Sequence, residues 1–153
     1  SRKHFENQLK IYGKQLVISL IRTTGSHEGP MASMFQEQIT RLNNSNVQYL
    51  SFDLNRELGY FSAMNKLDLL WSKVSDTMEQ YGVFCGQTKD GIHFEHVKNQ
   101  QGVARTNCRD NLDRTNFVQT HLFVQAFIMQ LAALGINFNE FPTGNFFKLS
   151  IKR

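Results

Sequence analysis

Six consecutive residues, Leu16-Val17-Ile18-Ser19-Leu20-Ile21, do most to limit the folds open to this chain. The run is too short for a core helix, is rich in β-branched side chains, and lacks the polar alternation of a half-exposed strand. Such a strand is buried on both faces, which demands layers of structure above and below it. The flanking sequence supplies them. Gly25, Ser26, Gly29 and Pro30 make 23–30 a loop, and 31–42 is expected to be helical, with Met34, Phe35, Ile39 and Leu42 on one face. Asn43-Asn44-Ser45-Asn46 breaks that helix, and 47–54 has the alternation of a second strand. The clearest amphipathic helix is 63–81, where Leu67, Leu70, Trp71, Val74 and Met78 share a face. Ahead of the first strand, Phe5, Leu9 and Tyr12 recur at helical spacing and Gly13 stops the turn. Val83-Phe84-Cys85-Gly86 and Ile92-His93-Phe94-Glu95-His96-Val97, parted by a turn at Lys89-Asp90-Gly91, read as a β-hairpin or as two short strands. Gly102-Val103-Ala104-Arg105-Thr106 is a further strand, and a long helix runs from about 114 to 134, stopped by Gly135. Strands alternating with helices predict an α/β fold: a mainly parallel sheet flanked by helices.

Composition narrows the partners. With 153 residues, 41% hydrophobic and 20% charged, the chain is expected to be one domain with a packed core. Lys and Arg (17) exceed Asp and Glu (13), leaving +4, which suits a phosphate-bearing partner without choosing between lipid headgroup and RNA. Thirteen Phe point to a large buried core, and two Cys to a reducing compartment rather than a disulfide scaffold. The longest apolar stretch, 122–136, is interrupted by Gln125 and Gln130 and falls short of the ~20 residues that cross a bilayer. A buried helix, with no transmembrane segment, is expected there. The N-terminus lacks a signal peptide's apolar stretch, and since its first residue is not Met, the chain is expected to be a piece of something longer. His93 and His96, three apart on a strand, face opposite ways, so no metal site is expected. Cys85 reads as a small buried hydrophobe, and His121 as a packed or surface histidine.

The chemistry concentrates in Arg105-Thr106-Asn107-Cys108-Arg109-Asp110-Asn111-Leu112-Asp113-Arg114-Thr115-Asn116. Cys108 and Arg114 are six apart, between a predicted strand and a predicted helix. A loop so placed turns successive main-chain N–H groups toward an anion, and the helix adds its own unpaired N–H groups and positive end. Those donors stabilise a thiolate at the head of the loop. Arg114, in the first helical turn, offers a planar fork matched to two phosphate oxygens. Together the parts describe phosphoryl transfer through a cysteinyl-phosphate intermediate. The spacing alone arises by chance in roughly one case in twenty, so the surrounding polar groups and the strand–loop–helix context carry the weight. A buried structural Cys beside a surface Arg is the plainer alternative.

The twelve residues resemble the signature of the Sac-domain phosphoinositide phosphatases, Arg-x-Asn-Cys-x-Asp-x-Leu-Asp-Arg-Thr-Asn, at every fixed position. Gln101-Gly102-Val103, Phe117-Val118-Gln119, Phe52-Asp53-Leu54, Tyr81-Gly82-Val83-Phe84, Tyr12-Gly13 with 17–21, and Glu28 ahead of Phe35 extend the likeness across 5–136. The resemblance implies a cysteine-phosphatase-like fold, truncated here, with 1–136 a partial Sac catalytic region and 137–153 a divergent tail. It implies Cys108 as nucleophile and Arg114 as phosphate clamp. Asp110 and Asp113 are then the loop carboxylates, one of them the general acid: Asp110 is preferred, and Asp113 is expected to hold the loop's shape. Beside a dianionic phosphate such a carboxyl is expected to rise in pKa. Arg109, Asn111, Leu112 and Thr115 are the candidate substrate-contacting positions, and Asn107 and Asn116 brace the backbone. No metal ion or cofactor is implied.

Three departures from the family pattern matter. Asn111 stands where many relatives have a second Cys, Arg109 where an apolar residue is usual, and Asn55 where a His is common. The tail carries Phe138, Phe141, Phe146 and Phe147 without periodicity, and a complete Sac domain is several times longer. The expected substrate is a phosphoinositide headgroup at a membrane surface, with no nucleic-acid partner. The expected setting is cytoplasmic, peripheral at the cytosolic face of endomembranes. A catalytically silent phosphoinositide-binding module, or an inactive truncated fragment, is the alternative reading, and a phosphotyrosine phosphatase is a third.

Overall fold

From its N-terminus the chain forms α1 (Arg2–Tyr12), β1 (Lys14–Ser19), α2 (Gly29–Thr40), β2 (Val47–Ser51), α3 (Ala63–Tyr81), β3 (Cys85–Thr88), β4 (Phe94–Lys98), β5 (Gly102–Asn107) and α4 (Asp113–Ala133). This computed structural model describes residues 2–54, 63–88 and 90–136. The tail 137–153, Asn55 and Lys89 lie outside them.

β1 is the middle strand of a parallel sheet of order β2-β1-β5. Its side chains alternate between two cores, as a strand buried on both faces must. Leu16 and Ile18, with Leu20 just beyond the strand, join Phe52, Leu67, Leu70, Val74 and Val118 on the α3 and α4 side. Val17 turns the other way, against Phe5 of α1 and Ile39 of α2. Leu67, Leu70, Val74 and Met78 of α3 are all buried, as the helical spacing predicts. β3 and β4 form a separate antiparallel hairpin, so the sheet of the domain proper is wholly parallel and the hairpin is an addition to it. The observed architecture is α/β.

The differences from expectation have physical causes. β1 lies two residues earlier than the apolar run, and Leu20 and Ile21 leave the ladder while staying buried. α2 starts at Gly29, because Pro30 sits in the first turn, where a missing N–H breaks no helical bond. Its buried face carries Ala32 and Ile39 with Phe35 packed beside them, and Met34 is exposed. Among the described residues the Phe side chains are not mainly core. Phe5 and Phe52 are buried, whereas Phe84, Phe94, Phe117, Phe123 and Phe127 are exposed. α4 is therefore no fully buried helix: it buries Thr115, Val118, His121, Leu122 and Gln125 along one stripe and leaves Phe123 and Phe127 outside. No helix among the described residues is long and apolar enough to cross a membrane.

Gly13 joins α1 to β1 with φ +71, and a Cβ there would collide with the Gln101 carbonyl oxygen. That same oxygen accepts the Lys14 N–H at 3.0 Å, so it cannot retreat without loosening the start of the sheet. Gly13→Ala is expected to cost about 1–3 kcal/mol in urea denaturation. His121 is buried beside Trp71, and its Nε2 has no partner among the described residues. Burial lowers its pKa, with Asp68 opposing. The unfolded chain therefore takes up this proton at higher pH than the folded one. The associated stability is present above about pH 6.5 and is lost as pH falls through the depressed folded value. Thermal melts are expected to show a lower Tm below that point, and His121→Phe to flatten the difference.

Candidate active site

The site begins with the direction of two strands. β1 and β5 run parallel, so both end at the same edge, and the Leu20 N–H reaches the Asn107 carbonyl at 2.8 Å. The loop after β1 and the loop after β5 are thereby set side by side. The exit of β2 joins them: the Phe52 N–H donates to the Ser19 carbonyl at 2.8 Å, and Asp53 Oδ2 accepts the Thr23 N–H at 3.1 Å. Carboxyl ends of parallel strands are where α/β sheets place ligands.

Cys108 is the first residue after β5 and is buried. Its Sγ donates to Asp110 Oδ1 at 3.2 Å and accepts the Thr115 hydroxyl at 3.1 Å. The loop then turns on Asn111, whose φ of +55 is tolerated by Asn better than by most residues. Asn111 Oδ1 accepts the Cys108 N–H at 3.2 Å, and Asp110 Oδ1 accepts the Leu112 N–H at 3.2 Å. The main-chain amides of Arg109 and Asn111 have no acceptor among the described residues, and that of Asp110 turns to its own carboxylate. Leu112, at the start of α4, supplies no side-chain cap. A turn of unpaired amides running into an uncapped helix start is an arrangement that accepts an anion.

Arg114, in the first turn of α4, reaches across to the β1 loop. Its Nη1 donates to the Leu20 carbonyl at 3.0 Å and to Glu28 Oε2 at 2.8 Å, and its Nη2 donates to Glu28 Oε1 at 3.2 Å. Glu28 Oε2 also accepts the Arg22 N–H at 3.0 Å. The pair shifts both partners: the bond to Arg114 holds Glu28 below the usual carboxylate range, and the bond to Glu28 raises Arg114. Cys108 and Asp110 lie near enough for their charges to add to that rise. Asp110 sits below the ordinary carboxyl value, chiefly because the Cys108 thiol donates to it and secondarily through the Leu112 N–H. The rise expected beside a dianionic phosphate would have to overcome those two bonds.

Cys108, Asp110, Asn111 and Thr115 are thus brought into one hydrogen-bonded group, and Arg114, bonded to Leu20 and Glu28, lies within charge range of Cys108 and Asp110. Arg109 and Leu112 are exposed on the loop, and Asp113 is the exposed first residue of α4. The loop's shape is held by Asn111 and Asp110, and the Asp113 side chain makes no hydrogen bond among the described residues. Asn107 braces through its main chain, and its Oδ1 is buried without a partner among the described residues. His93 bonds Asp90 of its own turn, and His96 packs against Phe84 and Phe94. Among the described residues no cluster of His, Cys, Asp and Glu has metal-holding geometry. Glu28, noted in the sequence only as a landmark of the family likeness, is the site residue to which no role was given. Its signal was a carboxylate in the loop after the most buried strand.

The SacI homology domain matches residues 1–59. Phosphatidylinositol-3-phosphatase SAC1-A of Danio rerio is 35% identical over 135 residues, 88% of this chain and 22% of the relative. Phosphatidylinositide phosphatase SAC2 of Homo sapiens is 32% identical over 146 residues, 91% of this chain and 12% of the relative. Phosphoinositide phosphatase SAC6 of Arabidopsis thaliana is 31% identical over 136 residues, 89% of this chain and 22% of the relative. The chain spans 22% or less of the length of these relatives.

Asn111→Ala removes the acceptor of the Cys108 N–H and places a Cβ-bearing residue with no local side-chain bond at positive φ. Urea denaturation is expected to show a loss of about 1–2 kcal/mol, and Asn111→Gly, which relieves the backbone strain, a smaller one.

Proposed function

The chain belongs to the Sac-domain family, and from that premise we propose that it hydrolyses a phosphate monoester of a phosphoinositide headgroup through a cysteinyl-phosphate intermediate. The observation that carries this reading is the placement of the Cys108 thiol between Asp110 and Thr115, at the head of a loop whose Arg114 is held at the start of the next helix. The relatives, named as phosphoinositide phosphatases, supply the substrate class. We read the fold as cysteine-phosphatase-like on the same grounds, with 1–136 the partial catalytic region.

The bond from the Cys108 thiol to Asp110 supports the following proton path. The thiol points its proton at Asp110 Oδ1, and moving it there leaves a thiolate and a neutral carboxyl in one step. The thiolate attacks phosphorus, the bond from phosphorus to the inositol oxygen breaks, and Asp110 gives that oxygen the proton it took from sulfur. Water then attacks the cysteinyl phosphate while Asp110 takes a proton from it. The phosphorus–sulfur bond breaks, and inorganic phosphate leaves. Thr115 donates to sulfur throughout and steadies the thiolate as leaving group. The loop amides and Arg114 stabilise charge on the phosphoryl oxygens. The substrate headgroup is borne on a lipid, so the reaction belongs at a membrane surface; the cytosolic face of endomembranes is the proposed setting.

The test is phosphate release from a panel of short-chain phosphoinositides. Wild-type chain is expected to release phosphate, Cys108→Ser to release none, and Arg114→Ala to lose about 10²–10³-fold in kcat. Undiminished release by Cys108→Ser overturns the covalent mechanism. Headgroup binding without release by the wild type favours the silent module instead.

A further inference from the structure

The Arg114 guanidinium has five N–H bonds, and the structure shows where three of them go. Both protons on Nη1 are committed, one to the Leu20 carbonyl and one to Glu28, and one proton on Nη2 is committed to Glu28. What remains is the Nε–H and the second Nη2–H. These two lie along one side of the planar fork and point the same way, the spacing that suits two oxygens of one phosphate. The carboxylate therefore occupies the end of the fork and leaves its side edge to the substrate.

We propose that Glu28 is a positioning residue for this reaction: it fixes the rotation of Arg114 so that the Nε/Nη2 edge is presented to the phosphate. The inference rests on the phosphatase reading above. Glu28 is suited to hold a direction. It is buried, and its Oε2 is itself anchored by the Arg22 main-chain N–H, with the Arg22 side chain 4.0 Å from Oε1. The Leu20 carbonyl, next to the end of β1, gives the fork a second fixed point on the most buried strand of the sheet. Without Glu28 the guanidinium keeps its charge and its helix but is free to turn about its long side chain, so the loss falls on the oriented transition state more than on substrate capture.

The experiment compares the 153-residue wild type with Glu28→Gln, Glu28→Asp, Arg114→Lys and the Glu28→Gln/Arg114→Lys double variant. Each is assayed for phosphate release from short-chain phosphoinositides, with a thermal melt alongside. Glu28→Gln is expected to lower kcat by about 10²-fold with KM changed by less than about threefold. Glu28→Asp, which keeps the charge and shortens the reach, is expected to recover part of the loss. The double variant is expected to be no slower than Arg114→Lys, because an ammonium has no edge to orient. Glu28→Gln within about twofold of wild type, or losses that multiply in the double variant, overturns the assignment while the phosphatase reading stands. A wild type that releases no phosphate from any of the lipids overturns both.

Discussion

Parallel pairing of β1 with β5 is the constraint on which the rest of this molecule depends. Two strands far apart in sequence run the same way and end together, and the Leu20 N–H to Asn107 carbonyl bond fixes where they end. A thiol-bearing loop and a carboxylate-bearing loop then meet at one edge, and Arg114 closes the gap to Glu28, 86 positions away in the chain. An antiparallel pair would have sent those loops to opposite ends of the sheet. The two-sided core explains why the pairing holds: Val17 and Ile18 are fully buried on opposite faces, and a slip of one residue would exchange them.

Much of this was legible in the amino-acid order, for reasons that can be named. The apolar run around Val17 announces a strand covered on both faces, and the spacing of Leu67, Leu70, Val74 and Met78 announces α3, because both signals are local and periodic. The Cys108-to-Arg114 segment was legible because its polar residues are contiguous and their spacing is local. The Phe residues were not legible as inside or outside. Composition counts aromatic rings without assigning them a face, and Phe123 and Phe127 fall just off the stripe that carries Val118 and Leu122. Met34 was misplaced for the same reason, one residue from a face that continues through Phe35 and Ile39.

Glu28 shows a different limit. Its partner lies on another element and its own surroundings, Gly25-Ser26-His27-Glu28-Gly29, look like any turn. Only the sheet topology makes it a neighbour of the motif. Asn111 is subtler. Its part is played through a backbone shape and one bond to the Cys108 N–H, neither of which has a spacing to detect. Asn111 and Thr115, named above as candidate substrate-contacting positions, are engaged with the loop itself: Asn111 accepts the Cys108 N–H, and Thr115 donates to the Cys108 sulfur.

The Glu28–Arg114 pair also shapes what an anion meets on its way in. Opposite charges bonded this closely form a dipole whose field fades quickly with distance, so Arg114 contributes little beyond contact range. The reach of the site into solvent is left chiefly to Arg109, exposed on the loop and set against Asp110. Charges at such exposed positions are screened over about 8 Å at physiological ionic strength. Added salt should accordingly weaken the pull of this edge of the sheet on a distant anion far more than the contacts inside the Glu28–Arg114 pair.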